Sequence, residues 1–292
     1  MKTILVPTDF SEHANYALDL ARQLAVKHGM EIKLMHVVEQ PSAPYITAVS
    51  GGMHDQLGNV YVMRFIEKVK AQLEVITSEL AKEGIESEYQ IKIGNPYRNI
   101  STEIKKEPSE LIIMGTHGTT GIDEMLVGSN TEKVVRNAHC PVITLKGPVT
   151  LEDINDLVFA ASYFDRGEYM ALELKNLQQL FEAKIHLLTI NTPSNFLSER
   201  DGMSNLLQFA KEHHLQDYTV NIYNDLMEEE GIRHFAEDRQ ADMIVMATHG
   251  RTGIGHLLSG SLSEQVVNHA DLPVITFPLR AKKSNPVKDV VL

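Results

Sequence analysis

Apolar residues along the chain fall into short β-branched runs that alternate with longer stretches of helical spacing. Thr3 to Val6 reads as a buried strand, and Ser11 offers an N-cap to the segment that follows. There Ala14, Ala17, Leu18, Ala21, Leu24 and Ala25 recur at the spacing of one helix face, and Gly29 closes the helix. The same reading predicts a strand over Ile32–Val38 and a helix over Phe65–Lys82 stopped by Gly84. A strand over Tyr89–Ile93 and a short helix over Ile100–Lys106, ended before Pro108, come next. Leu111–Met114 predicts a strand, Thr131–Ala138 a helix and Pro141–Leu145 a fifth strand. Gln40–Val62 holds two prolines, three glycines and little periodicity, which predicts a long loop. Strands alternating with helices, the strands apolar throughout, imply an α/β fold: a doubly wound parallel sheet covered on both faces. Ligands in such sheets bind outside the carboxyl ends of the strands.

The pattern then repeats. Ile112–Leu145 aligns without gaps to Ile244–Phe277 at an offset of 132, with 19 of 34 positions identical. Nearer the start, Ile4-Leu5-Val6 answers to Leu157-Val158-Phe159 and Ile32-Lys33-Leu34 to Ile185-His186-Leu187, both at an offset of 153. The second copy is therefore 21 residues shorter in its middle, where the first has the Gln40–Val62 stretch. This is a tandem duplication with expected domains at 1–147 and 153–280, divided near Lys146-Gly147-Pro148, and a C-terminal tail at 281–292.

Composition narrows the function classes. Apolar residues make up 43% and charged residues 23%, which excludes a disordered chain. The net charge of −12 argues against nucleic acid and anionic lipid as partners. Cys140 is the sole cysteine, so neither an internal disulfide nor a cysteine-based zinc site can form. No stretch reaches the ~18 apolar residues of a membrane span, and the apolar run before Pro7 is too short for a signal peptide. The expected setting is cytoplasmic.

The candidate chemistry sits at the predicted carboxyl ends. One segment is Pro7-Thr8-Asp9. The other is Gly115-Thr116-His117-Gly118, followed by Gly128-Ser129 at the start of the last helix. Glycines let backbone N–H groups approach an anion, and a helix start carries about half a positive charge. A phosphate chain fits between them, with the Ser129 and Thr131 hydroxyls as donors. Asp9 is an acceptor for a ribose hydroxyl or a base amino group. No HExxH spacing, Walker loop or GxGxxG fingerprint occurs, so no metal site is expected and motor NTPases and dehydrogenases are disfavoured.

These residues resemble the universal stress protein family, in two copies that cover essentially the whole chain. Pro7-Thr8-Asp9 and the spacing G-x2-G-x9-G-[ST], here Gly115, Gly118, Gly128 and Ser129, match its ATP-binding branch in full. The resemblance implies two Rossmann-like five-stranded domains, paired within the chain through their fifth strands as a pseudo-dimer. The ligand it implies is ATP, with or without Mg2+. Pro7, Thr8, Asp9 and Val37 would line the adenosine side. Met114, Gly115, His117 and Gly118 would wrap the ribose and phosphates, and Gly128, Ser129, Asn130 and Thr131 would hold the phosphates. Thr119 departs from the arginine many relatives carry there.

The second copy keeps Gly250, Arg251, Gly260 and Ser261 but has Ala247 for Gly115, Ala160 for Pro7 and Ser162 for Asp9. It reads as a degenerate second site whose glycines serve packing. Function is accordingly expected to be nucleotide binding linked to stress or regulation. No general base is assigned, so ATP hydrolysis is slow at most. The rival expectation is a scaffold that captures partners without nucleotide. Whether two chains associate as a homodimer is left open.

Overall fold

The computed structural model of the chain describes residues 2–39, 54–107, 109–116, 127–160, 167–248 and 262–279. In the first half, β1 (Thr3–Pro7), α1 (Glu12–His28), β2 (Glu31–Val38), α2 (His54–Lys82) and β3 (Ser87–Ile93) come in turn. They are followed by α3 (Pro96–Lys106), β4 (Leu111–Gly115), α4 (Ser129–Asn137) and β5 (Val142–Leu145). A 3-10 turn at Leu151–Asp153 leads into the second half. There β6 (Asp156–Ala160), α5 (Gly167–Phe181), β7 (Lys184–Asn191), α6 (Glu199–Glu212) and β8 (Tyr218–Asn224) precede α7 (Glu228–Asp238), β9 (Met243–Thr248), α8 (Leu262–His269) and β10 (Val274–Pro278).

The ten strands of the described residues join one sheet in the order β3-β2-β1-β4-β5-β10-β9-β6-β7-β8. Pairing is parallel within each half. At the centre β5 and β10 run antiparallel, with Ile143 opposite Ile275. The two halves thus form a doubly wound α/β pair built on a continuous sheet.

Local chemistry sets the elements as the patterns predict. The Ser11 side chain accepts the Ala14 amide at 3.2 Å, and Gly29 ends α1 at φ 62°, where a side chain would be strained. Helices cover both faces. On one, Leu20 and Leu24 of α1 and Leu73 and Leu80 of α2 bury against Ile4, Ile32 and Leu34. On the other, Ile100 and Ile104 of α3 and Val134 and Val135 of α4 bury against Leu5, Met35 and Ile112. Each such side chain contributes roughly 1.5–3 kcal/mol by leaving water. The first layer runs through the β5–β10 seam without a break, and within its second half the rings of Phe159 and Phe277 stack at 6.0 Å.

One element differs from expectation. α2 begins at His54, about three turns before Phe65, so the predicted loop over Gln40–Val62 is helical from His54 onward. In the sequence, Leu57 and Tyr61 precede Phe65, Val69 and Leu73 at the same spacing of four, a helical pattern. Gly58 and the polar His54-Asp55-Gln56 mask that continuation. α2 spans 29 residues against 14 for its counterpart α6, so much of the extra length of the first half is helix.

Candidate functional site

In the first half the strand order reverses between β1 and β4: the chain leaves β1 toward β2 on one side and reaches β4 on the other. Helices depart to opposite faces there, which opens a crevice at the carboxyl edge. A cleft of about 760 Å³ occupies this place. Pro7, Thr8 and Asp9 reach it from the end of β1, Val37 from β2, and Met114 and Gly115 from β4. Gly128, Ser129, Asn130 and Thr131 reach it from the start of α4. Four segments far apart in sequence are brought to one cavity. His117 and Gly118 lie outside the described residues, as do Gly250, Arg251, Gly260 and Ser261 of the second half.

The turn after β1 is closed by its own side chains. The Thr8 hydroxyl accepts the Phe10 amide at 3.1 Å, and Asp9 Oδ1 accepts the Ser11 amide at 3.0 Å. The Thr8 amide donates to the Met35 carbonyl at 2.9 Å, which fastens the turn to β2. Phe10 sits at φ 64° in the left-handed region.

The helix start across the cleft is held as firmly. Gly128 donates its amide to the Thr116 carbonyl at 2.7 Å, and a Cβ on Gly128 would stand 3.2 Å from that oxygen. No side chain caps α4. Its first amides therefore point into the cleft with the positive end of the helix dipole. Two expected roles change here. The Thr131 hydroxyl donates to the Gly115 carbonyl at 3.1 Å, so its proton ties α4 to β4 and is not offered to a phosphate. Gly115 faces α1: a Cβ there would lie 2.6 Å from the backbone carbon of His13. This glycine is required by strand–helix packing.

Side chains that sequence reasoning passed over complete the walls. Phe65, Lys68, Val69 and Gln72 come from α2, and Pro96 and Ile100 from α3. Phe65, Val69 and Gln72 follow at i, i+4 and i+7, so placing α2 beside the carboxyl edge would have found them. His36, in the otherwise apolar run around it, was the clearest missed signal. It is buried, its Nδ1 lies 2.9 Å from the Thr8 carbonyl oxygen, and burial lowers its pKa against the opposing pull of that bond and of Asp9. Among the described residues that line the cleft, Asp9 and Glu39 are acidic and Lys68 is the one lysine or arginine.

The second half builds its carboxyl edge differently. Ala160 and Ala247 stand where Pro7 and Gly115 stand in the first. The short connection after β7 is pinned by Asn191, whose side chain donates to the Leu197 carbonyl at 3.0 Å and accepts the Leu197 amide at 3.2 Å. Among the described residues no group of three or more His, Cys, Asp or Glu is arranged to hold a metal ion, and no helix is long and apolar enough to cross a membrane.

Fold and cleft together define a tandem pair of doubly wound α/β domains with an open crevice at the switch point of the first. The family model of the universal stress proteins matches residues 1–146 and 165–278. The chain belongs to the universal stress protein family. Over half its length it is 31% identical to universal stress protein MJ0577 of Methanocaldococcus jannaschii, covering 94% of that protein. Over 95% of its length it is 24% identical to universal stress protein Slr1230 of Synechocystis, covering all of it. Among solved structures, a universal stress protein from Archaeoglobus fulgidus superposes with a TM-score of 0.72 at 20% identity, over 94% of this chain and 98% of that one.

Proposed function

We propose that the first half binds an adenine nucleotide, ATP by preference, and that the protein couples nucleotide occupancy to a stress or regulatory output. One observation carries this reading: Asp9, the end of β2, the end of β4 and the uncapped start of α4 converge on a single cleft at the switch point. The residues present fit such a ligand. Val37, Ile100 and Met114 offer apolar surface to a base. Asp9 offers a carboxylate to a ribose, and the amides of Ser129 and Asn130 offer donors to phosphate. Mg2+ would arrive with the nucleotide, because no carboxylate cluster among the described residues holds it in advance. Hydrolysis would be slow, since Lys68 is the one lysine or arginine among the described cleft residues to stabilise a transferring phosphate; a turnover above about 1 s⁻¹, an ordinary enzyme rate, would refute this. The intrachain β5–β10 pairing would stand in for a dimer of single domains, so any homodimer would use another surface. The expected setting stays cytoplasmic.

The rival reading, a scaffold that uses no nucleotide, draws support from Gly115, whose missing side chain already has a packing explanation. The deciding experiment is to purify the protein without added nucleotide, denature it, and identify what is released by chromatography and mass spectrometry. ATP or ADP near one per chain supports the first-half site. Two per chain would show that the second half binds as well. Nothing released, together with no binding on titration, gives the scaffold reading. Asp9→Ala and Gly118→Val should abolish nucleotide retention while leaving the fold intact.

A further inference from the structure

β2 alternates its side chains between the two faces of the sheet. Ile32 and Leu34 point into the core beneath α1 and α2, and His36 continues the same alternation. An imidazole thus occupies a position that the pattern reserves for an apolar side chain. It is 6% exposed, so its polar atoms need partners within the protein. The Thr8 carbonyl oxygen, 2.9 Å from Nδ1, can only accept, so Nδ1 carries the proton. In the neutral ring this fixes the tautomer and leaves Nε2 unprotonated. The ring face stacks on Phe10 at 4.9 Å and 21°, and Phe65 of α2 lies beyond it at 6.3 Å.

Thr8 and Phe10 are the two neighbours of Asp9. His36 holds the first by its backbone and the second by its ring. Phe10 needs such support, because a non-glycine residue in the left-handed region costs on the order of 1–2 kcal/mol. The duplication supplies an independent comparison. β7 matches β2 and β6 matches β1 residue for residue at the offset of 153. Thr189 stands at the place of His36 in the second half, and Ser162 at the place of Asp9. Imidazole and carboxylate are replaced together.

We propose that His36 is the positioning residue for Asp9: its Nδ1–H bond to Thr8 and its stack on Phe10 aim the Asp9 carboxylate into the cleft. The inference rests on the nucleotide reading above. The charged groups sharing the cleft are Asp9 on the turn, Glu39 beyond β2 and Lys68 on α2, while α1 and β4 turn Ala14 and Met114 toward it. Burial, the largest influence, favours the neutral ring against the opposing pull of the Thr8 bond and of Asp9.

The test titrates ATP by calorimetry into the wild-type chain, His36→Asn and His36→Leu at pH 7.5. Asparagine keeps an N–H donor close to the Nδ1 position but does not titrate. At pH 7.5 the leucine variant should lose at least tenfold in affinity and the asparagine variant should recover most of it. Long-range 1H–15N spectra of the wild type at pH 7.5 should show His36 protonated at Nδ1, which requires no variant to fold. Leucine within twofold of wild type, an asparagine variant no better than leucine, or a proton on Nε2 would each overturn the inference alone. Absence of ATP binding by the wild type at pH 7.5 would overturn the nucleotide reading and the inference with it.

Discussion

Arg136 of α4 reaches across the seam between the halves and binds the carboxylate of Glu264 on α8, with Nε 2.6 Å from Oε1. Glu264 is buried, whereas Arg136 is half exposed and also holds Glu132 at 3.1 Å. The internal repeat puts Glu132 and Glu264 at matching positions but sets Asn268 opposite Arg136. One arginine therefore serves both carboxylates, and the seam is electrostatically asymmetric. Arg136→Ala leaves a buried carboxylate without its cation, which costs about 3 kcal/mol, the lower end for a broken buried pair because the arginine is partly solvated. Urea denaturation should show the lower midpoint. Arg136→Ala combined with Glu264→Met should recover much of the loss, and a single variant as stable as wild type would remove the pair from the account of the seam.

Gly115 gives a second prediction. A methyl group there meets the His13 backbone, which no rotamer change can move. Gly115→Ala must push the first turn of α1 away from β4, and overpacking of this kind costs roughly 1–3 kcal/mol. The same displacement moves Ser11 and the Asp9 turn, so nucleotide affinity should fall together with the melting temperature. A variant that keeps the wild-type melting temperature would show that α1 yields freely, and would return the glycine to a role in ligand approach.

Lys68 is the lysine that α2 contributes to the cleft, on a wall otherwise made by Phe65, Val69 and Gln72. With Thr119 in place of the arginine expected from the family, it is the described cation available to an anionic ligand. It is exposed, so its effect is modest and screened by salt. Lys68→Ala should weaken ATP binding by about fivefold at low ionic strength, in line with an exposed ion pair of about 1 kcal/mol, and by less at 0.5 M salt. Loss of affinity that ignored salt would point to a shape effect.

Most of the architecture is legible in the sequence because apolar strands and one-faced helices advertise themselves locally. The positions of β1, β2, β4 and β5, the cap at Ser11 and the stop at Gly29 all follow from side chains within a few residues of each other. The order of the strands places the cleft, and the Gly-rich spacing names one of its walls. What escaped the sequence depends on distant contacts. The start of α2 was hidden by Gly58. The contribution of Phe65 and Lys68 depends on how α2 crosses the carboxyl edge. The hydroxyl of Thr131 and the bare Cα of Gly115 had a ligand role by spacing alone, and only the approach of β4 to α1 and α4 assigns them to packing. His36 was visible as an anomaly in an apolar strand, but its partner, the Thr8 carbonyl, is 28 residues away.

At the amino ends of the strands, opposite the cleft, Lys33 of β2 is buried and paired with Glu103 of α3 at 2.7 Å, with Glu88 of β3 at 2.9 Å and with Glu107. Burial pushes the ammonium toward neutrality, but the three carboxylates outweigh it and hold its pKa above the ordinary lysine value. Burial likewise raises Glu103, yet its bonds to Lys33 and Gln90 and the charge of Lys92 bring its pKa below the ordinary carboxylate value of 4.5. A carboxyl whose folded pKa is depressed stabilises the fold fully above its unfolded value. That stabilisation is lost as the pH falls from about 4.5 through the lower folded value. Lys33→Ala leaves Glu103 buried without its main partner, a loss of about 3–5 kcal/mol. Removing Lys33 also takes away the strongest opposition to burial at Glu103 and leaves only Gln90 and Lys92 against it. The variant should accordingly flatten or invert the acid limb of a plot of unfolding free energy against pH between 5 and 3, whereas wild type declines there. In the second half His186 takes this position, held by Asp156 and Thr219 at 2.7 Å each. Lys33→His is therefore a substitution the fold has already accommodated once, and it should cost less than Lys33→Ala. An alanine variant with the wild-type acid limb would show that the Lys33–Glu103 pair does not set the acid stability of this protein.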